Sequence, residues 1–249
     1  MTIVERLRAA GCVFAEDEAA LLHEAASADA LEALVLRRIA GEPLEVLLGW
    51  ALFRGLRVAV RAGVFVPRVR TELLVEQALP LAPPGAVVVD LCCGSGAVGA
   101  ALVAASPGIE IWASDIDPVA ADCARLNLPA GRVRLGDLFD ALPAELRGRI
   151  DLVVVNAPYV PSDAIALMPP EARLHEPRFT LDGGADGLDL HRRIAATAAG
   201  WLVPGGTVII ESSRLQSGAT AEAFESAGFA TRVAHSDELD GTAVVARLR

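Results

Sequence analysis

Asn156-Ala157-Pro158-Tyr159 follows directly on the apolar run Asp151-Leu-Val-Val-Val155. A strand would deliver these four residues to the carboxyl edge of a sheet. There the Asn156 side-chain oxygen and the Ala157 backbone carbonyl form two neighbouring acceptors. Such a pair suits an NH2 group whose lone pair is delocalised into a π system, an amide or an exocyclic amine. Two acceptors fix the planar nitrogen and stabilise positive charge as it develops there. Pro158 stiffens the turn and restricts Ala157 to extended geometry. Tyr159 supplies a flat wall. None of the four is a strong base, so the electrophile must arrive already activated, and in-line positioning can supply on the order of 7–11 kcal/mol at best. The competing reading is a strand-end turn with a chance Asn-x-Pro-Tyr.

A second constellation lies upstream. Asp90-Leu-Cys92-Cys93-Gly94-Ser95-Gly96 joins an apolar run to a helical pattern, and Asp115 follows nineteen positions after Gly96. Glycines at such a turn let a ligand approach the backbone, and an acid after the next strand accepts ribose hydroxyls. Asp117 precedes Pro118 and reads better as a helix N-cap. Asp137, with Leu138 beside it, could accept from an adenine amino group. Gly94-Ser-Gly96-Ala-Val-Gly99 also fits the dinucleotide fingerprint, so this segment alone admits NAD as well as S-adenosylmethionine. Three features favour the latter, with S-adenosylhomocysteine as product: Asp90 before the glycines, an antiparallel strand expected at the end of the sheet, and Asn156-Ala-Pro-Tyr beside the turn. The cofactor set is then Asp90, Cys92, Cys93, Gly94, Ser95, Gly96, Asp115, Asp137, Leu138 and Asn156, and the catalytic set Asn156, Ala157, Pro158 and Tyr159.

The elements that must position these groups follow from hydrophobic period. Strands are expected at 86–91, 109–114, 132–135, 151–155 and 206–211, with helices near 97–105, 118–127, 143–147, 188–202 and 216–227. This alternation gives an α/β fold with a parallel sheet covered on both faces. Strands near 229–235 and 242–248 are joined by too few residues for a parallel crossover, so the last strand should be antiparallel. Apolar residues at helical spacing fill 2–40, and Val58, Val60, Val64 and Val66 alternate as in a strand pair. A helix at 70–79 and the linker Pro80-Leu-Ala-Pro-Pro-Gly85 follow. The division is a helical substrate-recognition domain at 1–49, a hairpin and helix linker at 50–85, and the main domain at 86–249; the linker at 80–85 suggests that the catalytic fold does not need what precedes it.

The chain has 249 residues, 53% hydrophobic and only 4% aromatic, so the core must be Ala, Val and Leu. No apolar run reaches the roughly 18 residues of a membrane span, and the N-terminus lacks a signal-peptide pattern. The net charge of −10 argues against gripping a phosphate backbone. Neither Cys12, Cys92, Cys93 and Cys123 nor the four histidines have metal-ligand spacing, so no metal site is read. Reduced thiols and a cytoplasmic monomer are expected.

The sequence resembles the HemK/PrmC protein-(glutamine) methyltransferases over about residues 35–245. GEPLEVLLGWALFRGLRV resembles that family's connector, VFVPRVRTELLVEQAL its IPRP-x-TE segment, and NAPY its NPPY. PPEARLHEPRFTLDGGADGLDLHRRI carries the rarer HEP and LDGG-x-DGL elements. The resemblance implies a seven-stranded class I methyltransferase (Rossmann-like) domain behind a small helical domain and a β-hairpin. It also implies methyl transfer to a glutamine side chain of a release factor or ribosomal protein. Five departures stand out: Ala157 for the first Pro of NPPY, Cys92 for the first Gly of GTGSG, Val66-Pro67-Arg68-Val69 for IPRP, Glu211-Ser212-Ser213 for E-x-G, and no late family Arg near Thr242-Ala243. Nucleic-acid adenine methylation is the alternative, since N-x-P-Y suits that amine too; a non-catalytic binding module and an NAD oxidoreductase are the others.

Overall fold

The computed structural model describes the backbone of residues 1–249 and every side chain except those of 28 and 170–172. Four helices come first: α1 (Ile3–Ala9), α2 (Ala15–Ala25), α3 (Ala28–Ile39) and α4 (Leu44–Leu48). Thr2 and Glu5 start α1 with a reciprocal capping box. These helices close around their own apolar cluster, with Leu7, Leu22 and Val35 fully buried. An antiparallel hairpin, β1 (Trp50–Phe53) and β2 (Leu56–Ala59), follows, then α5 (Glu72–Ala78).

The main sheet contains β3 (Val87–Leu91), β4 (Glu110–Asp115), β5 (Val133–Leu135), β6 (Ile150–Val155), β7 (Leu202–Glu211), β8 (Phe229–Ser236) and β9 (Gly241–Leu248). Helices α6 (Ala97–Ala105), α7 (Pro118–Asn127), α8 (Pro170–His175), α9 (Asp189–Ala198) and α10 (Ser217–Ser226) connect them. The order is β5-β4-β3-β6-β7-β9-β8. The first five strands are parallel, and β9 runs antiparallel to both neighbours, as the short connection before it requires. The central strands read as unbroken apolar runs because both faces are covered: every residue of β3 is buried. No described helix is long and apolar enough to cross a membrane.

Several expectations shift in detail. The helix expected at 143–147 is only a 3-10 turn, Ala144–Leu146, because Pro143 and Gly148 leave it no room to propagate. Strand β7 starts at Leu202 rather than 206, with an irregularity in its pairing to β6. The stretch at 80–85 is not a loose tether. Ala82 is 1% exposed in the core, and Gly85 N–H donates to Gly108 O. Phe53, Val58, Leu73, Leu74 and Ala78 share one core with Val88, Leu152 and Val154 of β3 and β6. The expectation that the catalytic fold stands without the residues before 80 is thereby corrected: a chain beginning at 81 would lose one wall of that core.

Candidate active site

Strand order reverses between β3 and β6, which run side by side with Asp90 opposite Val154 and Leu91 opposite Val155. Open α/β sheets bind ligands outside the carboxyl ends of strands at such a switch point. Here the loop after β3 and the turn after β6 border a cavity of about 290 Å³. It is lined by Asp90, Cys92, Cys93, Gly94, Ser95, Asp115, Asp137, Leu138, Asn156 and Pro158. Three of the expected residues do not line it. Gly96 is the N-cap of α6, Ala157 is fully buried beneath the turn, and Tyr159 faces away toward Glu211.

Local backbone bonds hold the β3 side. Gly94 lies at φ +55, where a Cβ is disfavoured, and a Cβ there would meet nothing within 4 Å: the backbone faces open space. Asp115 Oδ2 accepts the Gly94 N–H at 2.8 Å and Oδ1 accepts that of Asp117 at 3.0 Å. Each oxygen keeps acceptor capacity for a diol. Burial raises the Asp115 pKa, against the pull of those backbone donors. Asp117 caps α7 through Val119 N–H, with Pro118 at its first position. Asp90 is 2% exposed and accepts Gly99 N–H at 2.9 Å. Burial pushes its pKa up to about 8; the Gly99 N–H opposes this and the Asp115 charge adds to it. A cationic ligand in the cavity would favour its ionised form. Cys92 adopts φ +54, the left-handed region, and burial followed by the surrounding carboxylates pushes its thiol far up. The Asp137 carboxylate meets Arg193 of α9 at 2.6 Å, and both border the cavity.

Tertiary contacts hold the β6 side. Asn156 Nδ2 donates to Thr71 Oγ1 at 3.2 Å, which leaves Oδ1 as the acceptor. The Tyr159 hydroxyl donates to Glu211 Oε1 at 3.0 Å, at the end of β7. The wall expected of Tyr159 is therefore supplied by others, Phe65, Pro158 and Phe179. The Tyr159 carbonyl accepts from Gln216 Nε2, which also donates to Asp186 O. Gly187 sits at φ +79 directly against that carbonyl, and any Cβ there would collide with it. The GG-x-DG loop is thus the back support of the Asn-x-Pro-Tyr turn. Buried Glu176 of HEP accepts Val66 N–H at 3.3 Å and pairs with Arg68, tying 66–72 to 176–187.

Asn127, at the end of α7, bridges two parts. Its Oδ1 accepts Ala59 N–H, while Nδ2 donates to Ala59 O at 3.0 Å and to Ser95 O at 2.8 Å. Sequence reasoning missed Asn127, Phe65, Phe179, Arg193 and the roles of Thr71 and Glu211. The last two were visible only as members of family-like segments.

A seven-stranded sheet with this antiparallel strand, and a cavity at its switch point between a Gly turn with following acids and an Asn-x-Pro-Tyr turn, defines a class I methyltransferase. The Methyltransferase small domain family matches residues 56–172. The chain is 41% identical over 211 residues to the release factor glutamine methyltransferase of Streptomyces coelicolor, covering 82% of this chain and 75% of that one. It is 36% identical over 203 residues to a 4-amino-L-phenylalanine/4-methylamino-L-phenylalanine methyltransferase of Streptomyces pristinaespiralis, covering 78% and 69%. Among solved structures, a methyltransferase from Pyrococcus furiosus shares the fold with a TM-score of 0.58 at 17% identity, covering 87% of this chain and 96% of that one. The chain belongs to the release factor glutamine methyltransferase family.

Proposed function

We propose that this enzyme methylates the side-chain amide nitrogen of a glutamine in a peptide chain release factor, with S-adenosylmethionine as donor. The carrying observation is that Asn156, its NH2 end already engaged by Thr71, stands across β3 and β6 from the Gly94–Asp115 cradle. Asp115 would take the ribose hydroxyls, the Gly94 backbone would admit the amino-acid end, and Asp137 with Leu138 would hold the adenine. When bound, the cofactor supplies an activated methyl group on sulfur. Asn156 Oδ1 accepts an amide N–H group of the substrate, and Pro158 and Phe179 close the cavity against water. The S. pristinaespiralis relative is named for an aryl amine, another conjugated NH2, which fits an acceptor site built for delocalised nitrogen.

Residues 1–49, with their separate apolar cluster, would recognise the substrate protein. The enzyme would act as a cytoplasmic monomer without gripping nucleic acid. Incubation with methyl-labelled cofactor and purified release factor tests this: mass spectrometry should place one methyl group on a glutamine side chain. Label in nucleic acid with the release factor unmodified would overturn the reading.

A further inference from the structure

We propose that Thr71 and Glu211 act as positioning residues that fix the direction of the Asn156 carboxamide, keeping its oxygen toward the substrate. This rests on the acceptor role given above to Asn156. A carboxamide presents a donor and an acceptor in nearly the same shape, so the cavity alone does not decide which end faces it. The group behind must decide, and that group is the Thr71 hydroxyl at 3.2 Å. A hydroxyl also works both ways. Its direction is set by what lies on its far side.

That neighbour is Glu211, 3% exposed at the carboxyl end of β7, one step past Ile210, which pairs with Val155 just before Asn156. Its Oε1 accepts the Tyr159 hydroxyl, and its Oε2 has no partner at ordinary hydrogen-bond geometry among the described residues. Burial raises the Glu211 pKa, while the Thr71 hydroxyl, the Tyr159 hydroxyl and Arg70 pull it back down. A carboxylate only accepts, and a buried unsatisfied oxygen is costly, so the Thr71 proton turns toward Glu211. Thr71 can then offer only a lone pair to Asn156, which must answer with its NH2. The relay Asn156 to Thr71 to Glu211, closed by Tyr159, runs in one direction because it ends on an acceptor.

Glu211→Gln tests this at constant shape. The new amide donates to Thr71, the hydroxyl turns to Asn156, and the carboxamide flips to present NH2. Methylation of the release factor should fall about tenfold, the worth of one hydrogen bond, with cofactor affinity unchanged. A release factor with its target glutamine replaced by glutamate, which offers only acceptors, should become a stronger competitive inhibitor of this variant than of the parent. A merely structural defect would weaken both ligands together. Thr71→Val should lower kcat, and Thr71→Ser should restore it. Parent-like rates and inhibition in both Glu211→Gln and Thr71→Val, or equal weakening of both ligands, overturns the relay. Asn156→Ala separates the two ideas: full activity there refutes the acceptor role itself, whereas an inactive Asn156→Ala beside an unaffected Glu211→Gln refutes only the relay.

Discussion

On the cofactor side of the cavity, the Gly turn and its acids are held mainly by backbone groups, Gly94 N–H on Asp115 and Gly99 N–H of α6 on Asp90, with Asp137 on Arg193 the exception. On the acceptor side, Asn156 leans on Thr71, Tyr159 on Glu211, and the Tyr159 carbonyl on Gln216, partners 52 to 85 positions away in the chain. A site built on local backbone geometry tolerates changes of side chain; one assembled from distant side chains is sensitive to each of them. Cys92, a residue with a full side chain held in left-handed backbone at the turn, illustrates the first case.

The sharpest break in that comparison is Asn156→Ala. Methyl transfer should fall by about 100-fold or more, as for loss of an oriented transition-state acceptor, while calorimetry finds cofactor affinity little changed. Loss of both would merge the two halves.

Two of the buried ionisable groups, one behind each half, have opposite pH responses. His191 of α9, bonded to Thr220 behind the acceptor side, has its pKa lowered to about 4, by burial and then by Arg192. The unfolded chain takes up this proton first, so stability should drop as pH falls from about 6.5 to about 4, by up to roughly 3 kcal/mol. Asp90 on the cofactor side, raised to about 8, should lose stability as pH climbs from about 4 toward that value. Urea titrations across pH should show His191→Gln removing the loss between about 6.5 and 4, and Asp90→Asn removing the opposing loss that runs from about 4 to 8; an unchanged slope between 6.5 and 4 in His191→Gln removes that assignment.

Asp115→Ala probes the cofactor side alone. Affinity for S-adenosylmethionine should weaken by roughly 1.5–3 kcal/mol, for loss of charge-assisted ribose bonds, and unchanged binding by a folded variant would take Asp115 out of the site. The smallest effect is expected from Ala157→Pro: less than about tenfold in rate, because the carbonyl keeps its place and only the ring is new.

This difference in construction also explains what the sequence disclosed. The strands, the antiparallel β9 and the Gly-turn cavity residues were legible because apolar period, connection length and turn chemistry are local signals. Asp117 declared its capping role through Pro118 alone. Thr71, Glu211 and Arg193 carry no local signature; they meet their partners only when β3, β6, β7 and α9 pack. Tyr159 misled for the same reason, since its ring direction is set by Glu211 and not by its own turn. The stretch at 80–85 had the composition of a tether, yet Ala82 found a place in the core.

Asn127 treats Ala59 as a neighbouring strand would, taking its N–H and giving to its C=O. That pairing occupies the end of the β2 edge, a place where an unpaired strand would otherwise offer its backbone groups. Because the same amide also grips Ser95 O, the hairpin and the turn after β3 are yoked. Phe53 of β1 adds a second tie, since it lines the cavity itself, so a protein docked on the hairpin would rest against the same floor.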